Sequence, residues 1–317
     1  MTMAEPSLTL IQHWQRIQLG RRITRTLFFL LFLLAPALDL FRVDLLNGGM
    51  MFFGQRYTPG VGPWLRLMES SPAEAALHLL LYLIVPIFGT IVAVLWIANR
   101  YGRIYCGWFC PHFAVVEWIN GLMLKGFGKP TLWEEPQQGL AKSTPWRVAS
   151  LLGSLLMAFT WALSLLTYLL PPDLIFGNLL GGTLSFNQSL FLTVATIVLF
   201  LEFTFARHLF CRFGCAVGMA QSIAWMANRA ALSPLMQPDG AAACASCNTA
   251  CETACPMRIP PRRGKRHINT CTQCGLCVEA CAQVQPPLPS GQQPLVWVRG
   301  EEVASHINSS FIHRSDK

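Results

Sequence analysis

The chain of 317 residues is 53% hydrophobic and only 13% charged, and it carries a formal net charge of +8. Its mean hydropathy of +0.41 and the gathering of apolar residues into long blocks exclude an ordinary water-soluble domain. The basic surplus lies between those blocks and has no nucleic-acid signature, so no nucleic-acid partner is expected.

A helix that crosses a bilayer needs roughly 20 mostly apolar residues to traverse about 30 Å of hydrocarbon. The first block, residues 23–40, has Arg25 and Asp39 near its ends and follows a stretch with Arg16, Arg21 and Arg22. Its run TLFFLLFLL before Ala-Pro-Ala at 35–37 also has the form of a signal peptide with a small-residue cleavage site. A retained anchor is the better reading, because no mature soluble domain follows. Residues 75–98 and 148–172 contain no Asp, Glu, Lys or Arg, and residues 184–205 contain only Glu202. Together the blocks predict an all-α membrane anchor of about four transmembrane helices.

Lys and Arg concentrate in cytoplasmic loops. With the N-terminus inside, the inner segments (1–25, 99–147 and 206–317) hold 21 of them, against three outside, Arg42, Arg56 and Arg66. The expectation is a multi-pass protein of a bacterial inner (cytoplasmic) membrane, in contact with membrane lipid and with both termini cytoplasmic. All twelve cysteines then face a compartment that keeps thiols reduced, which points to metal ligation rather than to disulfides.

Eight of the twelve fall within 38 residues. Cys271-x2-Cys274-x2-Cys277-x3-Cys281 has the spacing of a bacterial ferredoxin loop: three thiolates wrap one cube, and the fourth ligates the other cluster of a two-cluster unit. Gly275 stands where a tight turn needs a residue without a Cβ. Zinc generally takes two separated pairs of ligands, which this even run does not offer. Upstream, Cys244-x2-Cys247-x3-Cys251-x3-Cys255 ends in Cys-Pro but carries one extra residue between its second and third cysteines. By the crossed rule, Cys244, Cys247, Cys251 and Cys281 hold one 4Fe–4S cluster, and Cys271, Cys274, Cys277 and Cys255 the other. A cytoplasmic α+β bacterial-ferredoxin-like domain is therefore expected over residues 235–290. A membrane domain over 1–234 precedes it, and a C-terminal tail over 291–317 follows, with a candidate strand in LVWVRG.

The four remaining cysteines form an internal repeat. YGRIYCGWFCPHFAVVEW follows the second apolar block and ARHLFCRFGCAVGMAQSIAW the fourth, with their first cysteines 105 residues apart. Repeats related by an axis along the membrane normal would bring Cys106, Cys110, Cys211 and Cys215 together at the inner surface. Cysteines at i and i+4 share one helical face, and four thiolates suit iron–sulfur, copper(I) or zinc. The competing reading is interfacial packing of four small apolar side chains. Arg103, Arg207 and Arg212 would ease thiolate formation.

Weaker candidates are His78 in the second block, read as packing or quinone contact rather than a haem ligand, and Glu202 near the inner interface, read as pairing with Arg207 or snorkelling. Met50-Met51 could attract copper(I) but reads as packing. PRRGKR at 261–266 could dock an acidic partner or lie on headgroups.

Through GRIYCGWFCP at 102–111, FCRFGC at 210–215 and the two ferredoxin runs, residues 25–300 resemble the membrane-bound polyferredoxins. That family includes the NapH-type quinol-oxidising subunits of periplasmic nitrate reductase systems and the cytochrome-oxidase accessory proteins of the FixG/CcoG type. FFG at 52–54 and RIYCGWFCP look closer to the second branch. The chain departs from the family pattern at Ala216, where proline is usual, and at the extra residue of the first run. Relative to the FixG/CcoG type it is also shortened at the C-terminus. The resemblance implies electron transfer between a donor, quinol among the candidates, and a redox partner protein such as an oxidase or reductase subunit. The alternative it implies is a maturation factor that reduces copper(II) and supplies copper(I) for oxidase assembly. Under either reading the C-x3-C pairs are candidates for a third metal centre, 4Fe–4S or copper.

Overall fold

A computed structural model describes residues 5–46, 49–57, 73, 76–77, 80–134, 143–237, 240, 244 and 247–305. The described chain is mostly helical, with one three-stranded and one two-stranded antiparallel sheet. It divides into two compact units, neither continuous in sequence: residues 1–27, 93–114 and 208–317 form one, and residues 28–92 and 115–207 the other. The linear boundary expected at 234 does not coincide with this division. The N-terminal helical segment and both C-x3-C elements belong to the same unit as the ferredoxin-like segment.

The unit without cysteines is built on two apolar helices. Thr144–Leu169 opens with Pro145 in its first turn, where the missing N–H is harmless. Phe186–Leu201 opens with a reciprocal capping box between Ser185 and Gln188 and runs on through a π-helical turn, Glu202–Ala206. These are the two helices, among the described residues, that are long and apolar enough to cross a membrane. Of the other two expected spans, Val85–Tyr101 is a shorter apolar helix preceded by a π-helical turn, Leu80–Ile84. The first block lies in a helix, Glu5–Leu34, that runs unbroken through the basic stretch and stops short of residue 40. Its long apolar run occupies only the last third of that helix, which is why length and composition do not qualify it. His78 lies outside the described residues.

The core of this unit closes around Trp161, stacked on Phe32 at 4.6 Å between ring centroids, with Val115, Ile119, Ala158 and Phe203 buried beside it. Leu151, Leu152, Leu155 and Leu156 on one helix, and Val194, Ile197, Val198 and Leu201 on the other, remain exposed. Removing each such side chain from water is worth ~1.5–3 kcal/mol, so two faces this apolar suit a lipid cover. Three short strands, Phe41–Asp44, Gly49–Phe52 and Gln55–Tyr57, form a meander whose second turn uses Phe53 and Gly54, both at positive φ (49° and 72°). Two successive positive φ angles give the hairpin turn that matches strand twist. Met50 and Met51 sit in the middle strand, paired with Val43 and Arg42. Arg42 is itself held by Asp39 at 2.6 Å and Asp44 at 3.3 Å.

In the cysteine-bearing unit, Ser233–Met236 pairs antiparallel with Leu295–Val298, the strand expected in LVWVRG. The helix Leu276–Val284 starts directly after Gly275. Val278, Ala282 and Leu295 pack with Cys251, Cys277, Cys281 and Trp14 in one core. Trp14, from the N-terminal helix, stands edge-on to Trp297 with centroids 5.6 Å apart. The basic N-terminal segment is thus part of the fold that carries the cysteines.

Candidate metal centres

Two cavities open in the ferredoxin-like segment. One is lined by Cys255, Cys271, Cys274 and Cys277, the other by Cys244, Cys247, Cys251 and Cys281. Counting their mouths, they hold about 360 Å³ and about 350 Å³ free of protein atoms. The two groups of four are the crossed sets, each cavity taking three cysteines from one run and one from the other. Among the described residues neither cavity is lined by a carboxylate, so the donor set is four soft sulfurs in a largely apolar wall, which fits an iron–sulfur cube. Among the described residues no three His, Cys, Asp or Glu side chains gather closely enough for a single metal ion. A cube makes a different demand, since each thiolate meets its own iron.

Local backbone explains how the runs reach their cavities. The extra residue of the first run is absorbed by Thr249 in the left-handed region (φ 54°), with Asn248 turned to solvent, just ahead of the short helix Ala250–Thr253. In the second run Gln273 (φ 53°) and Gly275 (φ 76°) both turn left-handed. A Cβ on Gly275 would lie 3.0 Å from the Trp14 ring and 3.2 Å from Gln18 Nε2, so both φ and space call for glycine there.

Burial dominates the chemistry of these thiols. It pushes Cys251, Cys255 and Cys281 up to about 11, and Cys271 and Cys277 also well upward. Without metal these groups are protonated at neutral pH, and metal uptake must displace their protons.

Each C-x3-C element is a helical turn bearing the first cysteine, followed by a second cysteine at the start of the next helix. Cys106 lies in Ile104–Trp108, and Cys110 immediately precedes Pro111–Phe127. Cys211 lies in the π-helical turn Phe210–Gly214, and Cys215 caps Ala216–Ala227, its Sγ accepting from Gly218 N at 3.5 Å. The expectation of one helical face per pair is therefore corrected: the helix breaks between the two cysteines. The departure at Ala216 has a simple basis, because Ala216 and Pro111 both occupy a first helical position, which suits either residue.

Cys106 and Cys215 both lie near enough to act electrostatically on Cys110, and Cys215 acts likewise on Cys106. Cys211 Sγ lies 3.5 Å from His112 Nδ1, and Cys106 Sγ lies 3.8 Å from Gln221 Oε1. Arg103, only 1% exposed, donates to Cys211 O at 2.8 Å and to Thr270 O at 3.4 Å. The expected easing by arginine is present at Cys106, where Arg103 acts in that direction, but burial outweighs it. Burial raises Cys106 although Arg103 opposes it, and burial raises Cys110 to about 11. Arg212 instead lies over the Phe213 ring at 5.1 Å, and Arg207 belongs to the other unit.

PRRGKR is only partly a surface patch. Lys265 is buried, donating to Trp225 O at 3.0 Å and to Asn228 O, and Arg262 pairs with Glu252 at 2.9 Å. Arg263 and Arg266 remain exposed. The residues missed by sequence reasoning are Trp14, Gln18, Arg21, His112, Gln221 and Gln273. Only His112, directly after Cys-Pro, carried a local signal.

Residues 80–130 match the family model of a 4Fe–4S binding domain. The match includes Cys106 and Cys110 and lies wholly outside the 244–281 runs. No curated protein and no solved structure matches the chain.

Proposed function

We propose that the protein is a membrane-anchored, multi-pass iron–sulfur electron carrier with both termini cytoplasmic, moving electrons between a membrane donor such as quinol and a redox partner protein. The observation that carries this reading is the pair of cavities, each lined by the four cysteines that the crossed ferredoxin rule assigns to one cluster. Cys244, Cys247, Cys251 and Cys281 would hold one 4Fe–4S cluster, and Cys255, Cys271, Cys274 and Cys277 the other. Such clusters, when bound, supply one-electron exchange without proton transfer. The protein supplies thiols, a largely dry wall and left-handed turns that aim the ligands. Four spans are part of the reading: two long apolar helices, the shorter Val85–Tyr101 and the apolar end of Glu5–Leu34.

The pairs Cys106/Cys110 and Cys211/Cys215 form a third site in this proposal. The 4Fe–4S binding match over 80–130 supports iron there. A second reading, copper(II) reduction and copper(I) delivery, draws on the approach of His112 to Cys211, since thiolate with imidazole is a donor set that copper accepts.

Anaerobic purification decides the matter. About eight irons and about eight sulfides per chain are expected from the two ferredoxin-type sites alone, and more if the third site holds a cluster. Tightly bound zinc in place of iron would overturn the assignment, and copper at the C-x3-C pairs would transfer support to the second reading. A reporter active only outside the cytoplasm should stay silent after Lys317 and be active near Asn178.

A further inference from the structure

The segment Cys106-Gly107-Trp108 packs against Thr272-Gln273-Cys274 through backbone rather than through side chains alone. Gly107 comes so close that a Cβ placed on it would lie 2.1 Å from Thr272 O and 3.5 Å from Cys274 N. Trp108 Nε1 donates to Gln273 O at 3.0 Å, and that carbonyl belongs to the peptide bond leading into Cys274. The same two segments are bridged a second time. Arg21 Nη1 donates to Gly107 O at 3.0 Å, Arg21 Nε donates to Gln18 Oε1 at 2.8 Å, and Gln18 Nε2 donates to Cys274 O at 2.9 Å. Gln18, Arg21, Thr272 and Gln273 are each at most 2% exposed, and Trp108 is half-buried at the edge of the joint.

We propose that this joint is the route by which the C-x3-C site and the site lined by Cys255, Cys271, Cys274 and Cys277 exchange electrons. Gly107 sets the distance, and the Trp108 indole supplies the shortest bonded bridge. The inference rests on the reading that both sites are redox centres, and it adds the path between them. Tunnelling through covalent and hydrogen bonds decays far more slowly than across a gap, and here the residue after one thiol touches the residues flanking another. In the exchange one electron leaves one site and arrives at the other. No bond forms or breaks, and no proton moves.

The joint has structural features that serve this end and that simple packing would not demand. A backbone-to-backbone approach at Gly107 is the closest that two ligand-bearing loops can make, and any side chain would force them apart. Gly102, one turn earlier, makes room for a side chain instead: at φ 71°, a Cβ there would lie 2.8 Å from Gln273 Nε2. Gln273 itself is fully buried in a left-handed conformation; its side-chain amide donates to Leu232 O at 3.1 Å, and its main-chain carbonyl accepts from the indole.

The test uses the full chain, purified anaerobically in detergent and reduced by a flash-generated small-molecule radical. In the unaltered protein a concentration-independent redistribution of the electron between sites should follow the bimolecular reduction. Trp108→Phe keeps an aromatic ring and removes the N–H donor, so iron and sulfide content and midpoint potentials should be unchanged while redistribution slows several-fold. Gly107→Ala should slow it further and raise amide hydrogen exchange at 272–274, a readout independent of electron transfer. Unchanged redistribution in Trp108→Phe, with a third centre present, would overturn the route and leave the reading of the sites standing. An unaltered protein with no third centre and no unimolecular phase would overturn the relay reading itself, and the route with it.

Discussion

The 244–281 segment and the two C-x3-C pairs gather cysteines by opposite means. In the segment, eight thiols reach two cavities within 38 residues, and what aims them is local: left-handed turns at Thr249, Gln273 and Gly275 and one short helix. The pairs lie 105 residues apart and have no local device that could bring one to the other. There long-range contacts do the joining: Arg103, three residues before Cys106, donates to the carbonyl of Cys211, His112 meets the Cys211 thiol, and Gln221 meets that of Cys106. Local assembly makes a site robust to distant change, whereas assembly through a few long-range contacts makes it depend on them, and on the buried Arg103 above all.

The largest test of this contrast removes ligands from each side. Cys274→Ala should halve the iron of the two ferredoxin-type sites, read by iron and sulfide assay and by loss of one cluster's spectrum. Changing Cys106 and Cys211 together to Ala should leave that iron in place and abolish turnover with the physiological partner. If the double variant kept full turnover and metal content, the pairs would be packing only.

The next test strikes the joining cation. Arg103→Met removes two hydrogen bonds from a charged donor inside the fold, each worth ~1.5–3 kcal/mol, but it also removes the penalty of burying a charge. A net loss of about 2–4 kcal/mol is expected in denaturant titration. Metal at the C-x3-C pairs should be lost before metal at the 244–281 sites. Simultaneous loss from all three would mean that the two regions are not assembled independently.

The same contrast decides how much was legible in the sequence. The crossed grouping was read from spacing, and the left-handed turns at Thr249, Gln273 and Gly275 that shape those loops lie within the runs. Gly275 was readable as a turn for the same reason. The antiparallel partner of Ser233–Met236 was half readable: LVWVRG looks like a strand, but nothing local names its partner. The roles of Gln18, Arg21 and Gln273 were not readable, since the side chain of each donates to a carbonyl far away in sequence and carbonyls leave no trace in side-chain identity. The membrane reading fared unevenly for a related reason. Blocks 148–172 and 184–205 became two long helices, but the first block is continuous with a polar helix whose other end packs beside the cysteines, a tertiary use that hydropathy does not encode.

The smallest expected effect isolates the local device. Thr249 is β-branched and sits at φ 54°, a conformation in which an L residue is strained by roughly 1–2 kcal/mol. Thr249→Gly relieves that strain but gives the unfolded chain more freedom, which costs about 0.5–1 kcal/mol. The balance is a stabilisation of ~0.5–1 kcal/mol, measured as a shift of the denaturant midpoint, with both cavities still loaded. The matching change on the other side has the opposite sign. Gly102→Ala puts a Cβ 2.8 Å from Gln273 Nε2 at φ 71°, so strain and crowding add. Thr249 also lines the cavity of Cys244, Cys247, Cys251 and Cys281, so if Thr249→Gly were instead destabilising and stripped metal from that site, the Thr249 side chain would be holding the cavity wall. The extra residue of the first run would then be a working part of that site and not an insertion absorbed by a turn.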